Sequence, residues 1–201
     1  MAKSLLIQIL TFDPMKRIAI FASGSGTNMQ RIAEYFQDNP AVEVSVLVCN
    51  KADAGVIQRA EKLKIPVLMI NRSDFYQSDA ITKQLIDLQI DLIVLAGFLW
   101  LIPDHLLQAF PQRIINIHPA LLPKYGGKGM FGEHVHQAVI TANEAESGIT
   151  IHYVNEHYDE GAVIFQASFR LVSGETPDSL AQRIHQLEYR HFPEVIERLL
   201  S

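Results

Sequence analysis

The stretch RIAIFASGSGTNMQRIAEYFQ, Arg17 to Gln37, changes its period part-way along, and that change decides the fold class. Arg17–Ala22 is a short apolar run of the kind that makes a strand buried on both faces. A Gly/Ser loop follows at once, and Gly24 to Gln37 then reads as a helix. The same alternation continues downstream. Strands are predicted over 42–50, 66–70, 91–97 and 113–118, and helices over 53–64, 73–89 and 103–110, with Ile81, Leu85 and Leu88 on one face of the second of these. Strands alternating with helices require right-handed crossovers, hence an α/β fold with a doubly wound, mostly parallel sheet. The last third differs. Runs 148–154 and 163–172 are joined by a short polar loop and predict an antiparallel pair. Thr176, as N-cap, and Pro177, at the first helical position, then open a long C-terminal helix that Pro193 should kink or split.

Composition narrows the class. The 201 residues, 48% hydrophobic and 19% charged, suit one globular domain over 15–201. Residues 1–14 read as an arm outside it: Gln8 breaks their apolar run, no small-residue cleavage site follows, and Met15 is a plausible second start. A net charge of −5 offers no general attraction to nucleic acid or anionic lipid, so any phosphate site must be local. One cysteine, Cys49, excludes an internal disulfide and a cysteine zinc cluster, a cytosolic pattern. His134, His136 and His152 lack metal-ligand spacing with a carboxylate, and no metal is expected.

The glycine loop does not fit a dinucleotide site. Gly24 and Gly26 match G-x-G, but Met29 stands at the third glycine position and no acid ends the second strand. A cradle for a single phosphate remains, with backbone N–H groups at a helix start and side-chain donors from Thr27 and Asn28. A tight turn that binds nothing is the alternative.

The segment INIHPALLPKYGGKG, 115–129, carries the chemistry. Asn116 and His118 lie two apart in a strand and so share a face. An amide can donate to a developing oxyanion and an imidazole can shuttle a proton near neutral pH. Asp159 follows a strand carrying His152; near His118 it would fix the tautomer and favour the protonated ring. Turn-capping side chains are the competing explanation.

In this order, FASGSGTN, CNKADAG, VLAGFLW, INIHPALLPKY, SGITIHYVNEHYDEG and VIFQ resemble the phosphoribosylglycinamide formyltransferases of the folate-dependent formyltransferase superfamily, from about Arg17 to the C-terminus. The resemblance implies a Rossmann-like formyltransferase fold. It implies formyl transfer from 10-formyltetrahydrofolate to the amine of glycinamide ribonucleotide in purine synthesis, in the cytoplasm, by a monomer or weak homodimer. Asn116, His118 and Asp159 would be catalytic, with Asp159 also holding an ordered water. Gly26, Thr27 and Asn28 would take the phosphate, Glu188 the ribose hydroxyls and His185 further phosphate contact. Leu95, Leu99, Trp100, Leu101 and Ile102, with Asn116, Asn155 and Tyr158, would hold the folate.

Three departures stand out. An arginine expected soon after Phe75 is replaced by Tyr76, Gln77 and Ser78, leaving Arg72 as the nearest substitute. The segment 126–134 is longer and richer in glycine than usual, a flap from which Lys128 could reach a phosphate or the folate tail. His185 stands where an uncharged residue is usual. Relatives acting on transfer RNA carry a further domain and a basic surface, and deformylases an N-terminal regulatory domain. A nucleotide-sugar formyltransferase would share the same trio. A non-catalytic binding module would be expected to lack one of its members.

Overall fold

The computed structural model describes residues 15–201, so the predicted arm lies outside the described residues. Seven strands form one sheet: β1 (Lys16–Ala22), β2 (Val42–Cys49), β3 (Val67–Met69), β4 (Leu92–Leu95), β5 (Ile114–His118), β6 (Glu146–Tyr153) and β7 (Val163–Arg170). Their order is β3-β2-β1-β4-β5-β6-β7. Pairing is parallel from β3 to β5 and antiparallel at β6–β7, as the sequence pattern predicts, and also antiparallel at β5–β6, which the pattern does not announce.

Both faces of the sheet are covered, which is why its central strands are apolar at consecutive positions. Ile18, Ile20 and Ala22 of β1 pack with α1 (Thr27–Phe36), α2 (Gly55–Lys62), α6 (Glu133–Thr141) and α7 (Pro177–Leu200). Ala19 and Phe21 point the other way, toward α3 (Arg72–Gln77), α4 (Ala80–Asp87) and α5 (Asp104–Ala109). Cys49 is a buried core residue. Strand β1 lies between β2 and β4, so the winding reverses there and opens a crevice at the carboxyl ends of β1 and β4.

The structure corrects the expected elements in four places. The helix predicted over 73–89 is two helices. Ser78 is extended, and its Oγ donates to the Asp74 carbonyl and accepts from Ala80 N–H, closing α3 and starting α4. Ile81 and Leu85 are buried as expected, but Leu88 is 41% exposed, because the chain leaves α4 there through the left-handed Gln89. Helix α7 runs unbroken through Pro193. The Tyr189 carbonyl, which loses its usual amide partner at Pro193, accepts from Arg31 Nε at 3.4 Å instead. Finally, α6 is a helix where the sequence pattern gave no element. Its buried face is only Val135, His136 and Val139, too little apolar period to announce a helix.

Candidate functional site

The crevice at the switch point is a cavity of about 610 Å³, lined from the loops after β1, β4 and β5, the 127–132 loop, and α6 and α7. It is of the size that small-molecule sites occupy.

One end is the glycine loop. Gly26 is left-handed (φ 79°), and a Cβ there would fall 2.4 Å from Val56 Cγ2, so the position accepts only glycine. Gly24 carbonyl accepts from Val56 N–H at 3.1 Å and Ser25 carbonyl from Arg59 Nε at 2.9 Å. With those carbonyls turned to α2, the free N–H groups opening α1 are left for the cavity. Asn28 Nδ2 donates to Glu188 Oε2 at 3.0 Å, and His185 Nδ1 lies 2.9 Å from the same oxygen. Glu188 is only 5% exposed, so it is no solvated helix carboxylate. Its bond raises the His185 pKa above the ordinary histidine value, against the opposing effect of burial.

At the centre stand the strand-end residues. Register pairs Asn116 with His152 across β5–β6, so both reach the same cavity wall as His118. Asp159 arrives from the loop after β6 in a left-handed conformation (φ 58°), a strained backbone of the kind retained at functional sites. Its Oδ2 is 3.5 Å from His118 Nδ1 and accepts Gly127 N–H at 2.9 Å. Its Oδ1 is 3.3 Å from Asn116 Nδ2 and 3.5 Å from His152 Nε2. Burial alone would push the Asp159 carboxyl up; His152, His118 and the Gly127 amide outweigh it and hold the pKa below the ordinary value.

One expectation for His118 needs correction, and another holds only in direction. Its tautomer is set by Tyr125, whose carbonyl accepts the Nε2 proton at 2.7 Å, and not by Asp159. The His118 pKa lies below the ordinary histidine value, because burial outweighs the raising effects of Asp159 and the Tyr125 carbonyl. Asp159 thus limits the depression without reversing it. A transferable proton therefore belongs on Nδ1, facing Asp159.

The other end is apolar. Leu95, Leu99, Trp100, Leu101 and Ile102 line it, with Tyr158 opposite. Leu95, Ile102 and Trp100 also belong to the α3–α5 core, so they serve packing and cavity together. Asn155 does not line the cavity: its Oδ1 accepts His157 N–H at 3.0 Å and shapes the loop. Arg72 stands behind the slot, 5.4 and 5.9 Å from the Tyr76 and Trp100 ring centres, and does not line it. Lys128 lines the cavity from the glycine-rich loop, as do Gly127, Gly129 and Gly132, all left-handed. Several further lining residues were not assigned to the site by the sequence reading, among them Ser23, Lys51, His136 and His152. His152 alone gave a signal, since strand alternation puts it on one face with Thr150.

A family model described as formyl transferase matches residues 16–196. The chain belongs to the formyl transferase family. Among curated relatives, a phosphoribosylglycinamide formyltransferase of Bacillus subtilis is 40% identical over 194 residues, covering 93% of this chain and 96% of that one. A chloroplastic protein of the same name from Arabidopsis thaliana is 42% identical over 187 residues, 90% of this chain. The chain spans 64% of that relative and 61% of its counterpart in Vigna unguiculata. The solved formyltransferase structures superpose closely. Glycinamide ribonucleotide transformylase 1 of Geobacillus kaustophilus matches at TM-score 0.83 and 40% identity, over 93% of this chain and all of that one. The phosphoribosylglycinamide formyltransferase of Bacillus halodurans matches at 0.82 and 38%, over 92% and 96%. No helix among the described residues is long and apolar enough to cross a membrane.

Proposed function

We propose that the chain transfers the formyl group of 10-formyltetrahydrofolate to the primary amine of glycinamide ribonucleotide, a step of purine synthesis. Residues 15–201 act as one catalytic unit in the cytoplasm, as a monomer or weak homodimer, on small molecules and not on nucleic acid or membrane. The observation that carries this reading is that Asn116, His118 and Asp159 line one cavity together with the glycine loop and with the apolar residues Leu95 and Leu99 to Ile102. A phosphorylated amine entering from one end and a formyl folate from the other would meet at the trio. The relatives' names supply the substrate class.

The chemistry follows from the contacts. Gly26, Thr27 and Asn28 hold the phosphate, and Glu188 takes the ribose hydroxyls with His185 beside it. Leu95, Leu99, Trp100, Leu101, Ile102 and Tyr158 enclose the pteridine. The amine nitrogen attacks the formyl carbon, and the carbonyl π pair moves to oxygen. Asn116 donates to that oxyanion by releasing the longer of its two bonds, the 3.3 Å contact with Asp159, while keeping His152 at 3.1 Å. Protonated His118 gives its Nδ1 proton to the folate nitrogen as the C–N bond breaks. The attacking amine loses a proton in return, so charge and protons balance. Asp159 favours the imidazolium and orients a water that carries the amine's proton.

The test is a spectrophotometric transfer assay with 10-formyl-5,8-dideazafolate as donor and either glycinamide ribonucleotide or an amino-sugar nucleotide as acceptor. Turnover dependent on glycinamide ribonucleotide is expected. Turnover with the sugar nucleotide alone would place the acceptor elsewhere in the superfamily, and donor binding without transfer to either would sink the catalytic reading.

A further inference from the structure

His136, on α6, is a polar side chain that the trio does not use. It is 5% exposed and lines the same cavity as Glu188. Its Nδ1 is enclosed and meets no hydrogen-bond partner. The other ring nitrogen, Nε2, has no hydrogen bond to protein among the described residues. A buried imidazole with neither nitrogen satisfied is costly unless something else occupies its reach.

The tautomer can be argued. A stranded N–H is rarer in proteins than a stranded acceptor, so the enclosed Nδ1 keeps the lone pair and Nε2 carries the proton. Burial also holds the His136 pKa below the ordinary value, against the raising effect of Glu188, so the ring enters the reaction neutral. Besides Glu188, the groups acting on it are His185, His118 and Glu133. Glu188 spends Oε2 on Asn28 and His185, and Oε1 has no hydrogen-bond partner among the described residues.

A donor and a carboxylate oxygen, both open, on residues that line one cavity and act on each other electrostatically, match a single ligand group. A hydroxyl donates once and accepts through its lone pairs. A phosphate in that place would face the Glu188 charge. Resting on the functional reading above, we propose that His136 is a substrate-binding residue whose Nε2–H donates to the same ribose hydroxyl that donates to Glu188 Oε1. The pair would select a ribosyl acceptor over its deoxy counterpart, because losing that hydroxyl leaves both partners buried and unpaired.

The experiment is calorimetric titration of glycinamide ribonucleotide and of its 2′-deoxy and 3′-deoxy analogues into wild type, His136→Phe and His136→Gln. Phe keeps a ring of similar volume without nitrogens, and Gln can place an amide N–H near Nε2. His136→Phe is expected to weaken the parent ligand about fivefold to tenfold, the range of one ordinary hydrogen bond. It should leave unchanged the affinity for whichever deoxy analogue the wild type binds poorly, and His136→Gln should recover most of the loss. Unaltered binding of 10-formyl-5,8-dideazafolate reports that the variants are folded; if Phe does not fold, His136→Leu takes its place. Equal weakening of all three ribosyl ligands, no weakening of any, or no recovery with Gln would overturn the proposal. Failure of wild type to bind the ribonucleotide would instead overturn the functional reading, and the proposal with it.

Discussion

Replacing Asp159 with Asn removes a charge while keeping the side chain's shape, and the consequence for His118 can be worked from the geometry. Asp159 Oδ2 lies 3.5 Å from His118 Nδ1, with both side chains at most 10% exposed. At that separation and an effective dielectric of about 20, the attraction for the imidazolium is about 5 kcal/mol. That is an upper figure, since the Asn dipole and relaxation recover part of it. Neighbouring opposite charges ordinarily change an ionisation by about 1.4–4 kcal/mol. Burial already depresses the His118 pKa and Asp159 opposes it, so the Asn variant depresses it further. Above that pKa the protonated fraction falls about tenfold to a thousandfold. The assay is kcat/KM for formyl transfer across pH 5–9. In wild type, activity should fall as rising pH deprotonates His118. In Asp159→Asn this limb should move to lower pH, with a loss of about a hundredfold at neutral pH that shrinks toward acid. The substrate amine sets the opposite limb, which stays in place. An unmoved falling limb with a uniform loss at every pH would mean that Asp159 does not act through His118.

Other perturbations have definite outcomes. Asn116→Ala should lower kcat by about 10²–10³ with little change in substrate binding, the usual cost of one oxyanion donor; a loss confined to KM would assign Asn116 to binding alone. Gly161→Ala should destabilise strongly, because the new Cβ would sit 1.7 Å from the carbonyl oxygen of Tyr153, whose N–H donates to the Ala162 carbonyl at 2.9 Å across the base of the loop carrying Asp159. A urea midpoint equal to wild type would contradict that. The pKa values of His118 and His136 are held down mainly by burial, so the unfolded chain binds those protons more readily. Stability should therefore drop as pH falls below about 6.5, whereas His185, raised by Glu188, contributes stability at low pH that is lost above its folded pKa. His136→Phe should shrink the stability lost between pH 7.5 and 5.5, measured by denaturant midpoints; an unchanged loss would remove His136 from the acid response.

The parts of the molecule readable from sequence share a cause. The consecutive apolar runs of β1 and β4 announce strands buried on two faces, and the Gly24–Asn28 loop announces the tight turn from strand into helix that lines the cavity. Asn116 and His118 are visible because strand alternation is strict. The break in 73–89 is not, because it depends on Ser78 bonding to Asp74 and Ala80 in place of continuing the helix. Pro193 misleads for a similar reason: its cost is offset by Arg31, 158 residues away in sequence. The depressed pKa of His118 and the unpartnered Nδ1 of His136 arise from tertiary burial, which no local pattern encodes. Asn155 shows the reverse case, a residue adjacent to the cavity whose side chain shapes its own turn.

The most direct measurement is the single-turnover rate of formyl transfer with both substrates saturating, in wild type and His118→Ala. With His118 delivering the leaving-group proton, the rate constant should fall at least about 10²–10⁴-fold, while the dissociation constants of both substrates stay within a few fold. A rate constant within about tenfold of wild type would show that the proton comes from elsewhere, and that the trio at the end of β5 does not do the chemistry assigned to it.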